Sequence, residues 1–159
     1  MLKYRGRLIS CHQIDGAFDL VDHPGAACIL PIDAQGNFLL IRQWRRAVQK
    51  SLLEIPAGTL EPGESPYACA DRELREETGF RAQKLTFLGG CYSAPGFCNE
   101  YLHIFLAEDL VHDPLIAEDT EHIDLVPVTS QDMHKLICDG SIQDSKTLAS
   151  ILLYRCKML

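Results

Sequence analysis

The strongest constraint on the fold is a helix whose two ends can both be read from the sequence. Ser65 is a good N-cap residue, Pro66 suits the first helical position, and Gly79 is typical of the residue just beyond a helix. Between these limits, Ala70 and Leu74 lie at helical spacing on an apolar stripe that would dock the helix on a sheet. The sequence therefore predicts one amphipathic helix in the middle of the chain.

This helix carries three glutamates, Glu73, Glu76 and Glu77, at positions i, i+3 and i+4. At about 100° per residue they occupy one side of the helix, next to the apolar stripe. Carboxylates grouped at such a rim suit a hard cation such as Mg²⁺, which prefers oxygen ligands. Taken alone, a group of this kind is more often a solvated acidic face, here offset by Arg72 and Arg75. The surrounding residues must decide between the two interpretations.

Alternating or apolar segments predict short strands on either side of this helix. The strands cover residues 4–11, 17–22, 26–32, 37–43, 52–55, 85–93, 101–107 and 123–128, and two further helices run from about 130 to 138 and from about 145 to 157. Residues 33–36 predict a hairpin turn, and Gly89-Gly90 predicts a bulge. We expect an α+β fold, an α/β/α sandwich with a mixed sheet flanked by helices, as a single domain over residues 1–159.

The charge balance argues against a nucleic-acid partner. The chain has 15 basic and 22 acidic residues, and its net charge of −7 repels polyanions at long range. Its apolar runs are too short to span a membrane. The seven cysteines are an odd number without a C-x-x-C pair, which predicts reduced thiols in a cytoplasmic protein rather than disulfides or a zinc site.

Residues 58–80 match the pattern G-x5-E-x7-R-E-U-x-E-E-x-G-U at every specified position, where U is a bulky apolar residue. This is the Nudix signature, so the chain resembles Nudix hydrolases. The resemblance implies the Nudix fold and hydrolysis of a nucleoside diphosphate compound, with Mg²⁺ as cofactor and Mn²⁺ as a substitute. It also implies that Gly58 permits a tight loop before the helix and that Glu64 supports the loop or the metal shell.

The same resemblance assigns roles within the signature. Glu73 and Glu77 would be the main metal ligands, and Glu76 a further ligand or a water-mediated catalytic partner. The backbone carbonyl of Ala57 would be an additional ligand. Arg72 would orient the glutamates through an i, i+4 pair with Glu76.

The flanking segments resemble ADP-ribose pyrophosphatases in particular. The segments that carry this resemblance are Glu-Ile-Pro-Ala-Gly at 54–58, Arg-Gln-Trp-Arg at 42–45, Ser-Ala-Pro-Gly-Phe at 93–97 and Glu-Asp-Thr-Glu-His-Ile at 118–123. In this subfamily a proline follows the signature sixteen residues after its last glycine, where this chain has Pro95. The resemblance therefore implies cleavage of ADP-ribose to AMP and ribose 5-phosphate.

Guanidinium groups are natural ligands for a diphosphate, and Arg42 and Arg45 are the candidates. On a regular strand, residues three apart face opposite ways, so both could reach one ligand only if the strand ends or bulges near Arg45. Otherwise one binds and the other is structural, and we favour Arg42 as the binder. Trp44 shares the face of Arg42 and is expected in the core. Pro95 and Gly96 belong to the loop expected to bind substrate.

The remaining site candidates are acidic. Glu100 could touch ribose or metal, or could be a solvated loop residue. The acidic segment at 118–123 resembles the loop that supplies the catalytic base, with Glu121 as a metal ligand and Glu118 or Asp119 as the base. The sequence does not order these three residues.

The resemblance also predicts a homodimer. Relatives often exchange a longer N-terminal segment between subunits to stack the adenine. Here residues 1–23 form a short N-terminal β segment, which is a candidate for dimer formation, and Tyr4 and Phe18 are its candidates for base stacking.

Three alternatives stay open. The substrate could be another nucleoside diphosphate sugar such as GDP-mannose. The chain could be a silent Nudix domain that senses a nucleotide, although it keeps all the signature acids. An RNA-decapping role is disfavoured because basic and aromatic residues are not interleaved in runs.

Overall fold

The computed structural model describes residues 1–116 and 123–158. The elements are β1 (Leu2–Arg5), β2 (Ser10–Ile14), β3 (Phe18–Asp22), β4 (Ala26–Pro31), β5 (Phe38–Arg45), β6 (Lys50–Glu54), β7 (Ala57–Thr59), α1 (Pro66–Thr78), β8 (Phe80–Tyr92), β9 (Tyr101–His112), β10 (Ile123–Val128), α2 (Ser130–Cys138) and α3 (Ser145–Met158). None of the helices in these residues combines the length and apolarity needed to cross a bilayer.

The central sheet has the strand order β7-β4-β9-β8, in which β4 and β9 run parallel and the other neighbours antiparallel. Every residue of β4 is buried, because both faces of the strand are covered. Ala27 and Ile29 pack in a cluster with α1. Cys28 and Leu30 pack in a second cluster with α2 and α3, including Met133. The expected α/β/α arrangement with a mixed sheet is confirmed.

A second sheet has the order β10-β5-β6, and β1-β2-β3 form a third. The predicted turn after β4 is present, since the Gly36 N–H donates to the Asp33 carbonyl at 3.0 Å. The predicted hairpin is wrong beyond that turn. The two strands share the isolated bridge between Ile32 and Phe38 and then enter different sheets.

The N-terminal strand predicted at 4–11 is also wrong, because the chain turns within it. The Gly6 N–H donates to the Ile9 carbonyl at 2.8 Å, and β1 folds back on β2. The predicted bulge is confirmed by a register shift between Phe87 and Gly89. The segment expected to be loop before α1 contains β7, which pairs with β4 and so brings the backbone of Ala57 beside the core.

Candidate active site

The acidic face of α1 forms one wall of a cleft of about 1360 Å³. Ser65 caps α1 by accepting a hydrogen bond from the Ala68 N–H at 3.2 Å. Gly79 ends the helix in the left-handed conformation, with φ of 77°. Both predicted helix ends are confirmed, and the three glutamates therefore keep their spacing and all line the cleft.

Two of these glutamates lie against the backbone of β7. The Ala57 N–H donates to Glu77 Oε2 at 2.9 Å. The Glu73 carboxylate fills the space beside Gly58, where an added Cβ would lie 1.7 Å from Glu73 Oε1. Gly58 therefore does not serve the tight loop that we expected. It lies in β7, and its missing side chain makes room for a carboxylate.

These two carboxylates do not enclose an ion by themselves. Within residues 1–116 and 123–158, no three histidine, cysteine, aspartate or glutamate side chains are grouped closely enough to hold a metal ion. Mg²⁺ needs few protein ligands, because it keeps several waters and completes its shell with substrate phosphates. Glu73 and Glu77, beside the backbone of Ala57, fit a hard cation bound in this way.

Arg72 connects the acids of the cleft. Its Nε and Nη2 donate to the two carboxylate oxygens of Glu64 at 2.9 and 3.0 Å. Its Nη1 lies 2.6 Å from Glu73 and 3.3 Å from Glu76. The predicted i, i+4 contact with Glu76 is therefore present, and the hydrogen bonds from Arg72 lower the pKa of Glu64. One guanidinium thus offsets the repulsion among three carboxylates.

Burial raises the pKa of the two glutamates beside β7, whereas the hydrogen bonds from Arg72 lower that of Glu64. Desolvation raises the pKa of Glu73. It raises the pKa of Glu77 to about 8, although the hydrogen bond from Ala57 and the charges of Arg45 and Lys146 oppose the shift. Without a cation, Glu77 is therefore largely protonated near neutral pH. A divalent ion would have to displace that proton, so metal binding should strengthen as pH rises.

The Glu77 pKa predicts how the stability of the metal-free protein depends on pH. The folded chain holds this proton up to a pH of about 8, whereas the unfolded chain loses it above 4.5. Because the folded state binds more protons in this window, its free energy of unfolding should fall as pH rises through it. Glu77 can contribute at most about 1.4 kcal/mol per pH unit to the slope. Urea titrations across this range should show that the free energy of unfolding depends less on pH in Glu77→Gln than in the wild type. An equal pH dependence in the two proteins would contradict the raised pKa of Glu77.

Arg45, rather than Arg42, lies in the cleft. β5 alternates, so that Gln43 and Arg45 line the cleft while Arg42 and Trp44 face away from it. Arg45 makes a bidentate pair with Glu54 at 2.8 and 2.7 Å. We preferred Arg42 as the binder, but the face of β5 that packs toward α1 carries Arg45, so the position in the cleft favours Arg45. The expected core position of Trp44 is wrong as well, because its side chain is 52% exposed.

The loop at 93–100 contributes no residue to the lining of the cleft. Neither Pro95 nor Gly96 lines the cleft, and the loop is joined to β3 by the Val21 N–H, which donates to the Phe97 carbonyl at 2.7 Å. Glu100 is also absent from the lining, but it lies 3.6 Å from Nδ1 of a histidine that does line it, His23. The predicted substrate loop is therefore connected to the cleft wall through β3 and His23.

Sequence reasoning missed several residues of the far wall. Arg5 lines the cleft from the end of β1, and Arg7 and Leu8 line it from the turn that follows. His23 lines it just before β4. The one local signal for the turn between β1 and β2 was Gly6, which lies between Arg5 and Arg7. The segment His23-Pro24-Gly25 before a buried strand was a usable signal, because such loops often carry functional side chains.

The candidates Glu118, Asp119 and Glu121 lie outside the described residues. Ile116 and Ile123, on either side of that segment, both line the cleft.

Proteins of known family resemble this chain over most of its length. A family model described as NUDIX domain matches residues 22–145. An ADP-ribose pyrophosphatase of Bacillus subtilis (strain 168) is 38% identical over 135 residues, which cover 84% of this chain and 73% of the relative. A GDP-mannose pyrophosphatase of Yersinia pestis (strain Pestoides F) is 35% identical over 149 residues, which cover 87% of this chain and 73% of the relative.

A solved structure agrees with these relatives. The crystal structure of an ADP compounds hydrolase superposes with a TM-score of 0.81 at 27% identity, covering 98% of this chain and 89% of that one. Both the sequence matches and the structural match extend far beyond the glutamate helix, so the likeness does not depend on one motif. The chain therefore belongs to the Nudix hydrolase family.

Proposed function

We propose that this protein hydrolyses the diphosphate bond of ADP-ribose to give AMP and ribose 5-phosphate, with Mg²⁺ as cofactor and Mn²⁺ as a substitute. The proposal depends on one observation, the convergence of Glu73 and Glu77 on the backbone of β7 inside a large cleft. The ADP-ribose pyrophosphatase and the ADP compounds hydrolase among its relatives support this substrate class. The net charge of −7 favours a small substrate over nucleic acid.

The chain's own groups would hold the cation and the diphosphate. Glu73, Glu77 and the Ala57 carbonyl would bind Mg²⁺, with Glu76 as a direct or water-mediated partner and Glu121 as the further ligand implied by the resemblance. When bound, Mg²⁺ neutralises the charge of the diphosphate and lowers the pKa of a coordinated water.

Other residues would hold the substrate and accept the proton. Arg45, on the cleft wall, would bind the diphosphate. A carboxylate must take the proton of the attacking water, and Glu118 and Asp119 both remain candidates for this base. The position of Ile116 and Ile123 on the cleft wall supports a base from the segment between them.

The direct test is incubation of the purified protein with ADP-ribose, with and without Mg²⁺, and separation of the products by chromatography. We expect AMP and ribose 5-phosphate with Mg²⁺ and neither product after chelation with EDTA. Metal-dependent release of AMP would exclude a silent sensor. The remaining alternative, another nucleoside diphosphate sugar as substrate, is tested with a panel of such sugars that includes GDP-mannose, the substrate named for the Yersinia relative. Far faster turnover of GDP-mannose would overturn the choice of ADP-ribose.

The two strand arginines should differ in their effect on substrate binding. Arg45→Ala should raise KM for ADP-ribose roughly tenfold to hundredfold, because it removes a charge-assisted contact to the diphosphate. Arg42→Ala removes the same group from the opposite face of β5 and should change KM little. Steady-state kinetics on both variants would compare the two KM values. A larger increase in KM for Arg42→Ala would indicate that Arg42 binds the diphosphate.

We further propose a cytoplasmic homodimer. The N-terminal sheet exposes large apolar side chains, with Leu2 46%, Tyr4 59% and Phe18 47% accessible, which supports burial against a second copy. All seven cysteines are free, which supports a reducing compartment. Light scattering after gel filtration should give the mass of a dimer, and a monomer at every concentration would contradict the assembly.

A further inference from the structure

Glu54, at the end of β6, is a fully buried carboxylate with two cationic partners. Its side chain has no solvent exposure. Arg45 Nε and Nη2 donate to its two oxygens, and Lys146 Nζ donates to Oε2. A buried charge is tolerated only when it is paired, and here two cations face the one carboxylate.

Lys146 reaches Glu54 from the first turn of α3, which is distant in sequence. Its side chain is 12% exposed, and its Nζ also lies 3.1 Å from Asp144. Burial lowers the pKa of Lys146, but the charges of Asp144 and Glu54 outweigh this effect and raise it, so the lysine is charged. The start of α3 is tied to the same strand end a second time, because the Ile55 N–H donates to Thr147 Oγ1 at 2.9 Å.

This arrangement determines how Arg45 is presented to the cleft. The pair with Glu54 uses the Nε–Nη2 edge of the guanidinium, and the fork geometry of a bidentate pair sets the orientation of the whole planar group. The Nη1 end makes no hydrogen bond to any residue that the structure describes, so it can serve a ligand, and the Arg45 side chain is 37% exposed on the cleft wall. Without Glu54, the long arginine side chain would sample many rotamers, and binding would have to restrict them.

We propose that Glu54 and Lys146 are positioning residues that orient Arg45 toward the diphosphate of the substrate. This inference rests on the proposed function for the contact between Arg45 and the substrate, but the orientation of Arg45 can be measured without substrate.

The first measurement is NMR of the Arg45 Nε–H group in the protein without substrate. We expect a signal protected from solvent exchange in the wild type and a loss of that protection in Glu54→Gln. Glu108→Gln is the matched control, because it removes a carboxylate from an ion pair with Lys84, 2.7 Å away, and neither residue lines the cleft. An Arg45 signal unchanged by Glu54→Gln would overturn the positioning role.

If Glu54→Gln alone folds poorly, the double variant Glu54→Gln/Lys146→Met removes one acid and one base together and preserves the net charge of the cluster. It should show the same loss of Arg45 protection, and a retained signal would overturn the proposal in the same way.

The second measurement is a kinetic cycle with ADP-ribose. Glu54→Gln should raise KM about tenfold with a smaller change in kcat, because a mispositioned binding group mainly weakens substrate binding. In an Arg45→Ala background the same change should have no further effect. Additive losses, or an unchanged KM despite the altered NMR signal, would refute the inference. If the wild type does not cleave ADP-ribose, the proposed function fails while the NMR result still stands on its own.

Discussion

Replacing Glu77 with glutamine should lower kcat for ADP-ribose by more than about 100-fold while leaving the protein folded. Glutamine keeps an oxygen that can accept the hydrogen bond from the Ala57 N–H, so the packing against β7 should survive. It cannot carry the negative charge that a divalent cation requires. Because the pKa of Glu77 is raised to about 8, the neutral amide also resembles the protonated side chain of the metal-free protein.

Three measurements on this variant separate a lost ligand from a lost fold. Calorimetry should show weaker Mg²⁺ binding, steady-state kinetics should show the loss of kcat, and thermal unfolding without metal should show a midpoint no lower than that of the wild type. Asp71→Asn is the matched control, since it neutralises a carboxylate of the same helix that pairs with Arg75 and Arg81 rather than lining the cleft. Activity with Mg²⁺ that survived Glu77→Gln would refute the metal assignment.

Gly58→Ala should abolish most of the activity at little cost in stability. The new methyl group would lie 1.7 Å from Glu73 Oε1, so the carboxylate must leave its position beside β7. That carboxylate is the far end of a flexible side chain, and the backbone of β7 can stay paired with β4. We therefore expect a fall in kcat/KM of roughly 100-fold with weaker Mg²⁺ binding and a nearly unchanged unfolding midpoint.

The cause can be tested by combining Gly58→Ala with Glu73→Ala. If the methyl group acts by displacing the carboxylate, it should cost nothing more once the carboxylate is gone. Wild-type kcat/KM in Gly58→Ala would show that the position of Glu73 is not needed for catalysis. An additional loss in the double variant would instead place the damage in β7 itself.

Local signals in the sequence were sufficient for α1 and for what it carries. Ser65, Pro66 and Gly79 act within one turn of the helix ends, so their effect does not depend on the rest of the fold. Once the helix exists, its geometry places the three glutamates on one side. β4 could also be predicted locally, because a strand buried on both faces requires a continuous run of apolar residues. The bulge in β8 could be predicted because its positive φ at Gly89 favours glycine.

Contacts between distant segments were decided only by the tertiary structure. Alternation along β5 separates Arg42 from Arg45, but packing against α1 selects which of them enters the cleft. Gly58 meets Glu73 only because β7 pairs with β4, and Glu54 meets Lys146 across 92 residues of chain. The sequence by itself determined the helix, its acids and the family they resemble, because those depend on neighbouring residues. The orientation of Arg45 and the space that Gly58 leaves for Glu73 depend on how sheets and helices pack. That packing joins segments distant in the chain, so it cannot be predicted from a local sequence pattern.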